Sequence, residues 1–281
     1  PGLVAAVEAA RTLGQVVVAA PTTQQTARGR SIVGEKGDYF HSVELKLTPY
    51  PDQDPALPSL QAWHVNASPA LVVRHALATI FRVRYPDLVI SGINYGENLG
   101  NNIMISGTLG AAFQAAAQGV PALAMSRQTD ITHHFSYEEL DWTDAERVTR
   151  KWAQRLLEVS FRGAYHPPDG RVPTDGSTDH PAGLLPFDVL KIDVPDECPP
   201  GTEERFTRLS GRHYFMSLME NAGPETPIGA AVTTVDIDPA GLARDDDIYA
   251  VAVDGVVSIT PLQLDNTAPM AAAASFLNVE R

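Results

Sequence analysis

Pro86-Asp-Leu-Val-Ile-Ser-Gly-Ile-Asn-Tyr-Gly-Glu-Asn-Leu-Gly-Asn-Asn-Ile-Met-Ile-Ser-Gly-Thr-Leu-Gly110 opens as a buried strand and closes as the start of a helix. Leu88, Val89 and Ile90 form an apolar run after a proline, and Ser106-Gly-Thr108 precedes the alanine-rich run Ala111 to Ala117. Between them lie small amides and glycines, with Leu99 and the Ile103–Ile105 group among the few bulky apolar residues. A core does not need Asn94, Asn98, Asn101 and Asn102 so close together. A site for an anion and a hard cation does need side-chain oxygens, exposed backbone N–H groups and room for close approach.

The flanking sequence alternates strand and helix. Leu3, Val7 and Ala10 fall at helical spacing within Pro1–Leu13, and Val16–Ala20 reads as a buried strand ended by Pro21. Thr22–Arg30 is polar and aperiodic, a loop. Val43, Leu45 and Leu47 alternate with polar residues and predict a half-exposed strand, and Pro49–Pro58 a surface connection. Ala62–Val65 predicts a strand, and Ser68-Pro69 a helix start with serine as N-cap. Helix Leu109–Gln118 follows the amide-rich loop, and Gly119–Ser126 reads as helix end, turn and strand. This order predicts an α/β fold, a doubly wound, mainly parallel sheet covered on both faces, with ligands outside the carboxyl ends of the strands.

Further on, Asp141–Ser160 predicts a long amphipathic helix with Trp142, Val148, Trp152, Leu156 and Val159 buried. His166–Gly183 reads as a surface loop, and Val189–Val194 as a strand stopped by Pro195. Phe206–Leu218 and Tyr249–Ile259 suggest antiparallel hairpins, with Asp254-Gly255 as a turn, and Pro269–Val279 a last helix. Two units follow: an α/β core over 1–200 and a β-rich extension over 201–281.

The 281 residues carry a formal net charge of −13, which repels nucleic-acid backbones but leaves room for a small phosphorylated substrate in a locally favourable site. The single cysteine, Cys198, permits no intrachain disulfide and agrees with a reducing, cytoplasmic setting. No apolar run approaches membrane-spanning length, and no secretion signal is visible.

Ser106-Gly107-Thr108 at a helix N-terminus offers N–H groups, a favourable dipole and two hydroxyls, and Gly107 lets an oxyanion come close. The same residues also suit an ordinary N-cap, but the company of Asn94 and Asn98 favours a phosphate site. Asn94 directly follows a strand and has an oxygen suited to a hard cation, although asparagine in a loop also ties back to its own backbone. Magnesium or manganese would need carboxylates nearby, and Glu97 is the one in this loop. His133-His134 reads as exposed loop, His64, His75 and His213 as isolated residues, and Asp245–Asp247 as a solvated turn rather than a cation site. No nucleophile-elbow serine, Walker lysine loop or paired-cysteine zinc pattern occurs.

The stretches Pro86–Gly100 and Ser106–Ala111 resemble the signature of the SurE family, the survival-protein E metal-dependent phosphatases of nucleoside monophosphates. Gly119-Val-Pro-Ala-Leu-Ala-Met-Ser126 and Val257-Ser-Ile-Thr-Pro-Leu262 match two more of its motifs in the same order. The resemblance implies Asn94 as a metal ligand. It implies Asn98, Ser106, Gly107 and Thr108 as phosphate-binding residues, with Asn98, Ser106 and Thr108 acting on the developing charge. Thr26 stands near the family's metal-ligating serine, although the usual Ser-Gly is here Thr26-Ala27. It also implies a divalent cation, Mg2+ or Mn2+, and a homodimer or homotetramer joined through exchanged C-terminal elements.

The family opens on a strand ending in Asn-Asp-Asp-Gly, whose aspartates hold the metal. The residues here start at the Pro-Gly that follows it. The expectation is a trimmed or mis-set start rather than natural loss, and weak or no activity from these residues alone. The expected reaction is hydrolysis of a nucleoside 5′- or 3′-monophosphate. The rivals are a non-catalytic phosphate- or nucleotide-binding protein and, more weakly, a dinucleotide-dependent oxidoreductase, against which the glycine-free turn Pro21-Thr-Thr-Gln-Gln25 counts.

Overall fold

The computed structural model describes residues 1–48, 60–130, 140–162, 185–219, 222–235 and 237–267. The chain runs α1 (Gly2–Ala10), β1 (Val17–Pro21), β2 (His41–Ser42), β3 (Gln61–Val65), α2 (Pro69–Ala78), β4 (Val89–Tyr95), a 3-10 turn (Asn101–Ile105), α3 (Gly107–Ala116) and β5 (Ala122–Arg127). It continues through α4 (Thr143–Arg162), β6 (Val189–Val194), β7 (Glu204–Phe206), β8 (Phe215–Leu218), β9 (Val232–Val235), α5 (Asp247–Ala252) and β10 (Val257–Leu262).

The main sheet has the order β4-β5-β6-β10-β7. β4, β5 and β6 are parallel, β10 runs antiparallel to β6, and β7 lies parallel to β10. β1, β3 and β2 form a second sheet in the order β1-β3-β2, with β1 and β3 parallel. This is the α/β class that the alternation predicts.

Side-chain alternation sorts the two faces. Leu123, Met125, Leu190, Ile192, Val257 and Ile259 face α1 and α4, where they pack with Ala5, Ala6, Val148, Trp152 and Leu156. Ala122, Ala124, Val189 and Leu262 face α3, whose Leu109, Ala112 and Ala115 sit on them. The small residues on both partners bring α3 close to the sheet, and each fully buried Leu, Ile or Val contributes about 1.5–3 kcal/mol. α2 packs outside α3 through Leu77. At Gly110 the fit leaves no room for a side chain: a Cβ there would lie 2.1 Å from the Gly29 carbonyl oxygen. The loop after β1 thereby rests on the first turn of α3, tied further by the Gly29 N–H to the Ile105 carbonyl (2.8 Å).

Several expectations need correction. Phe206 pairs parallel with Ile259 rather than in a hairpin, and Tyr249 to Ala252 is helical, so Asp254-Gly255 ends α5 instead of turning a hairpin. The antiparallel ribbon is β8 with β9. The strand at Val43–Leu47 reduces to His41–Ser42, while Leu45 and Leu47 are side chains packed against Val7, Val18 and Ala62. Val159 is 47% exposed, off the buried stripe of α4. Ser68 stands at the N-cap of α2, but its hydroxyl donates to the Ser31 carbonyl and accepts from the Val33 N–H. Asp245–Asp247 is not a solvated turn throughout, because Asp246 and Asp247 are buried. The readings of Pro49–Pro58, His133-His134, His166–Gly183 and Pro269–Val279 lie outside the described residues.

Candidate functional site

The carboxyl ends of β4, β5 and β6 meet in one polar row. Asn94 stands in register with Ser126, Ser126 with Asp193, and Asp193 with Ser258 on β10. A bulge in β4 makes this row possible. Between Ser91 and Asn94 the register with β5 shifts by one residue. Strict alternation would put Ser91 and Asn94 on opposite faces; one inserted residue puts both toward α3. Gly92 allows it, with φ of 122° and a position where a Cβ would lie 2.3 Å from the Met125 carbonyl oxygen.

Both side chains then reach α3. The Ser91 hydroxyl donates to the Thr108 carbonyl at 2.8 Å, and the Thr108 hydroxyl donates to Asn94 Oδ1 at 3.2 Å. Asn94 Nδ2 donates to the Gly96 carbonyl at 2.7 Å, which fixes the amide's orientation. Ser106 caps α3 by accepting the Leu109 N–H at 3.2 Å, and its own proton remains for donation. Gly107 and Thr108 N–H are first-turn donors without an intrahelical acceptor. Asn94, Ser106, Gly107 and Thr108 are therefore brought together on one rim. A cleft of about 210 Å³ adjoins it, lined among others by Gln25, Arg28, Glu35, Asn66 and Ser68. The Gln25 carbonyl oxygen lies 3.2 Å from where a Gly107 Cβ would be, so cleft and helix start are contiguous.

Asn98 is placed differently. Its Nδ2 donates to Ser126 Oγ at 2.7 Å and its backbone N–H to Asp193 Oδ1 at 2.7 Å. Asn101 and Asn102 are tethers: Asn101 Nδ2 donates to the Gly211 carbonyl, and Asn102 Oδ1 accepts the Tyr214 and Phe215 N–H groups. The crowding of amides thus serves loop anchoring as well as a site. Thr26 Oγ1 accepts from Gln24 Nε2 at 3.0 Å, and no hydrogen bond among the described residues links it to Asn94.

Lys191, Asp193, Asp247 and Ser126 carried no role in the sequence reading. The signal was present in Val189-Leu-Lys-Ile-Asp-Val194, an apolar strand with two charges two residues apart, hence on one face. Lys191 is wholly buried, with Nζ 2.5 Å from Asp193 Oδ2 and 3.0 Å from Asp247 Oδ2. Burial alone would lower its pKa, but the two carboxylates raise it above the ordinary lysine value. Burial lifts Asp193 to about 6, against the pull of Lys191. Glu97, also buried, accepts the Thr129 N–H at 3.1 Å, and burial pushes its pKa up. His64 is not isolated: its Nδ1 lies 3.0 Å from Thr22 Oγ1, and its ring stacks on His41. His75 stacks on Phe40, and His213 bridges to Gly100.

The rim does not by itself fit a hard dication. It offers the neutral oxygens of Asn94, Ser106 and Thr108, while Asp193 and Glu97 are engaged below it. No group of three or more His, Cys, Asp or Glu side chains is placed to hold a metal among the described residues. Nor does any described helix have the length and apolarity to cross a membrane.

Known proteins give this geometry its context. The family model for Survival protein SurE matches residues 1–216. A 5′-nucleotidase SurE of Methanocella arvoryzae is 33% identical, with 95% of this chain and 89% of the relative aligned. One from Methanocaldococcus jannaschii is 31% identical over 90% of this chain and 82% of its own. A SurE crystal structure from Aquifex aeolicus superposes with a TM-score of 0.67, covering 99% of this chain and 94% of that one, at 23% identity, a likeness of fold. The match over residues 1–216 and the level of identity show that the chain belongs to the SurE family.

Proposed function

We propose that the protein is a phosphomonoesterase acting on nucleoside 5′- or 3′-monophosphates. The observation that carries this reading is the meeting of Asn94 and Thr108 at 3.2 Å over the first turn of α3, at the carboxyl edge of the sheet. Gly107 and Thr108 N–H, together with the Ser106 and Thr108 hydroxyls, present four donors to the oxygens of a terminal phosphate. The Thr108 proton, held by Asn94 without substrate, turns to a phosphate oxygen. These donors strengthen as charge builds in the transition state. The contiguous cleft takes the nucleoside, and Asn98 braces the loop from the far side. The names of the relatives, 5′-nucleotidase SurE, support the same chemistry.

The base and the anionic cation ligands are proposed to come from another strand. β1 and β4 each pair on one side only among the described residues, and in each case the neighbour is parallel, β3 for β1 and β5 for β4. A strand laid between them would join the two sheets and bring its carboxyl end beside Asn94. In this reading Asn94 and Thr26 add neutral oxygens to a Mg2+ or Mn2+ site whose carboxylates that strand supplies. The ribbon β8–β9, with Leu218 53% and Val232 66% exposed, is proposed to join subunits into a dimer or tetramer.

Phosphate release from a panel of nucleoside monophosphates, with magnesium or manganese, tests the reaction. Metal-dependent release that Thr108→Val abolishes is expected. Phosphate binding with no release from any nucleotide would instead favour a non-catalytic phosphate-binding protein, which the neutral donor set of the rim also suits.

A further inference from the structure

The loop 96–102 carries Asn98 beneath the proposed phosphate rim, and its backbone is held from below by buried charge. We infer that Lys191, Asp193 and Asp247 are positioning residues that set the height and register of this loop, and through it the rim. This rests on the phosphomonoesterase reading for its catalytic consequence, and on geometry alone for the bracing itself.

The bonding is specific. Asp193 Oδ1 accepts the Asn98 N–H at 2.7 Å, and Asp247 Oδ2 accepts the Gly100 N–H at 3.1 Å. Asp247 Oδ1 accepts the Ser210 and Ile248 N–H groups, both at 2.9 Å. Lys191 lies between the carboxylates and also reaches Thr260 Oγ1 at 3.5 Å. All three charged side chains are fully buried. One cation between two anions leaves one negative charge, and the backbone N–H dipoles pointing at it offset that charge. Asp193 Oδ2 takes no hydrogen bond beyond the lysine pair among the described residues, so its geometry depends on Lys191.

Position decides why this matters for chemistry. Asp193 is in register with Ser126, and Ser126 with Asn94. Ser126 Oγ accepts the Asn98 side chain while Asp193 accepts its main chain, so Asn98 is held at two points. Gly100 is the second anchored point of the same loop, two residues on, and the 3-10 turn beginning at Asn101 leads directly to Ser106. A loop fixed at 98 and 100 fixes the entry to α3. An apolar core would fill this space but would leave the N–H groups of the approaching loop without acceptors; the buried carboxylate oxygens supply them and so choose the register.

Two variants at Asp193 separate bracing from mere packing, since both leave Lys191 paired with Asp247. Asp193→Asn keeps an oxygen to accept the Asn98 N–H, and Asp193→Ala removes the acceptor. The expected result is kcat/KM within about threefold of wild type for the first and a loss of at least about tenfold for the second, carried by kcat, at matched thermal midpoints. Equal activity of the two variants would overturn the inference. Amide hydrogen exchange on the wild-type protein is the second measurement and does not depend on either variant folding. Asn98 and Gly100 should exchange as slowly as the interior of β6, and exchange at the rate of an exposed loop would overturn the bracing. If wild-type protein releases no phosphate from any nucleotide, the phosphomonoesterase reading fails, and the exchange rates still decide whether the loop is braced.

Discussion

Asn94 and Asn98 lie four residues apart in one loop motif, yet they do opposite work. Asn94 Oδ1 meets the Thr108 hydroxyl at the first turn of α3, where the proposed phosphate would redirect that proton. Asn98 is committed at both ends, to Ser126 and to Asp193. The rim keeps spare donors, whereas the seam beneath it has its buried charges paired and surrounded by hydrogen bonds. The difference teaches that a residue type does not announce its role. What lies beneath its backbone does: an open helix start under Asn94, buried ions under Asn98.

The comparison breaks most visibly at the seam. Lys191→Met leaves two buried carboxylates without their cation and should destabilise the protein by about 3–5 kcal/mol, read from the urea midpoint. A loss under about 1 kcal/mol would mean that the charges are not locked as the distances indicate. Next in size is the rim. Asn94→Ala should lower phosphate release by about 10²–10³-fold while the urea midpoint stays close to wild type. A variant that unfolds instead would place Asn94 with the tethers.

Asn102→Ala sharpens the contrast from the other side. It strips the acceptor from the Tyr214 and Phe215 N–H groups and should cost about 1–3 kcal/mol of stability, with nucleotide turnover at saturating substrate little changed. The smallest effect concerns Glu97. Burial raises its pKa, so folding favours the protonated acid, and its contribution to stability falls as pH climbs through the raised value. Glu97→Gln has no charge to bury, so it should gain on wild type as pH rises from about 5 to about 8. Parallel urea midpoints across that range would show that the carboxyl is not desolvated in the folded state.

How much of this was legible in the sequence follows the same division. Parallel strands β4, β5 and β6 announced themselves as apolar runs because both faces are covered, and Ser106 announced α3 as an N-cap. Phe206 and Ile259 did not announce a parallel pairing, because the partner strands are separated by the β8–β9 ribbon and α5, and local turn chemistry at Asp254-Gly255 resembles a hairpin. Asp247 read as part of an acidic, solvated turn because its cation lies 56 residues away in sequence, at Lys191. The row Asn94, Ser126, Asp193 depends on a one-residue bulge at Gly92, which no periodicity reveals. The SurE-like motif singled out this loop, but it did not distinguish the asparagine beside the Thr108 hydroxyl from those that anchor the loop.

Titration of the isotopically labelled protein with inorganic phosphate, followed by backbone amide shifts, tests the central claim most directly. The account predicts the largest shifts at Gly107 and Thr108, with Asn94 following and Asn101 and Asn102 nearly still. Shifts centred elsewhere, or no saturable shift at the start of α3, would contradict it.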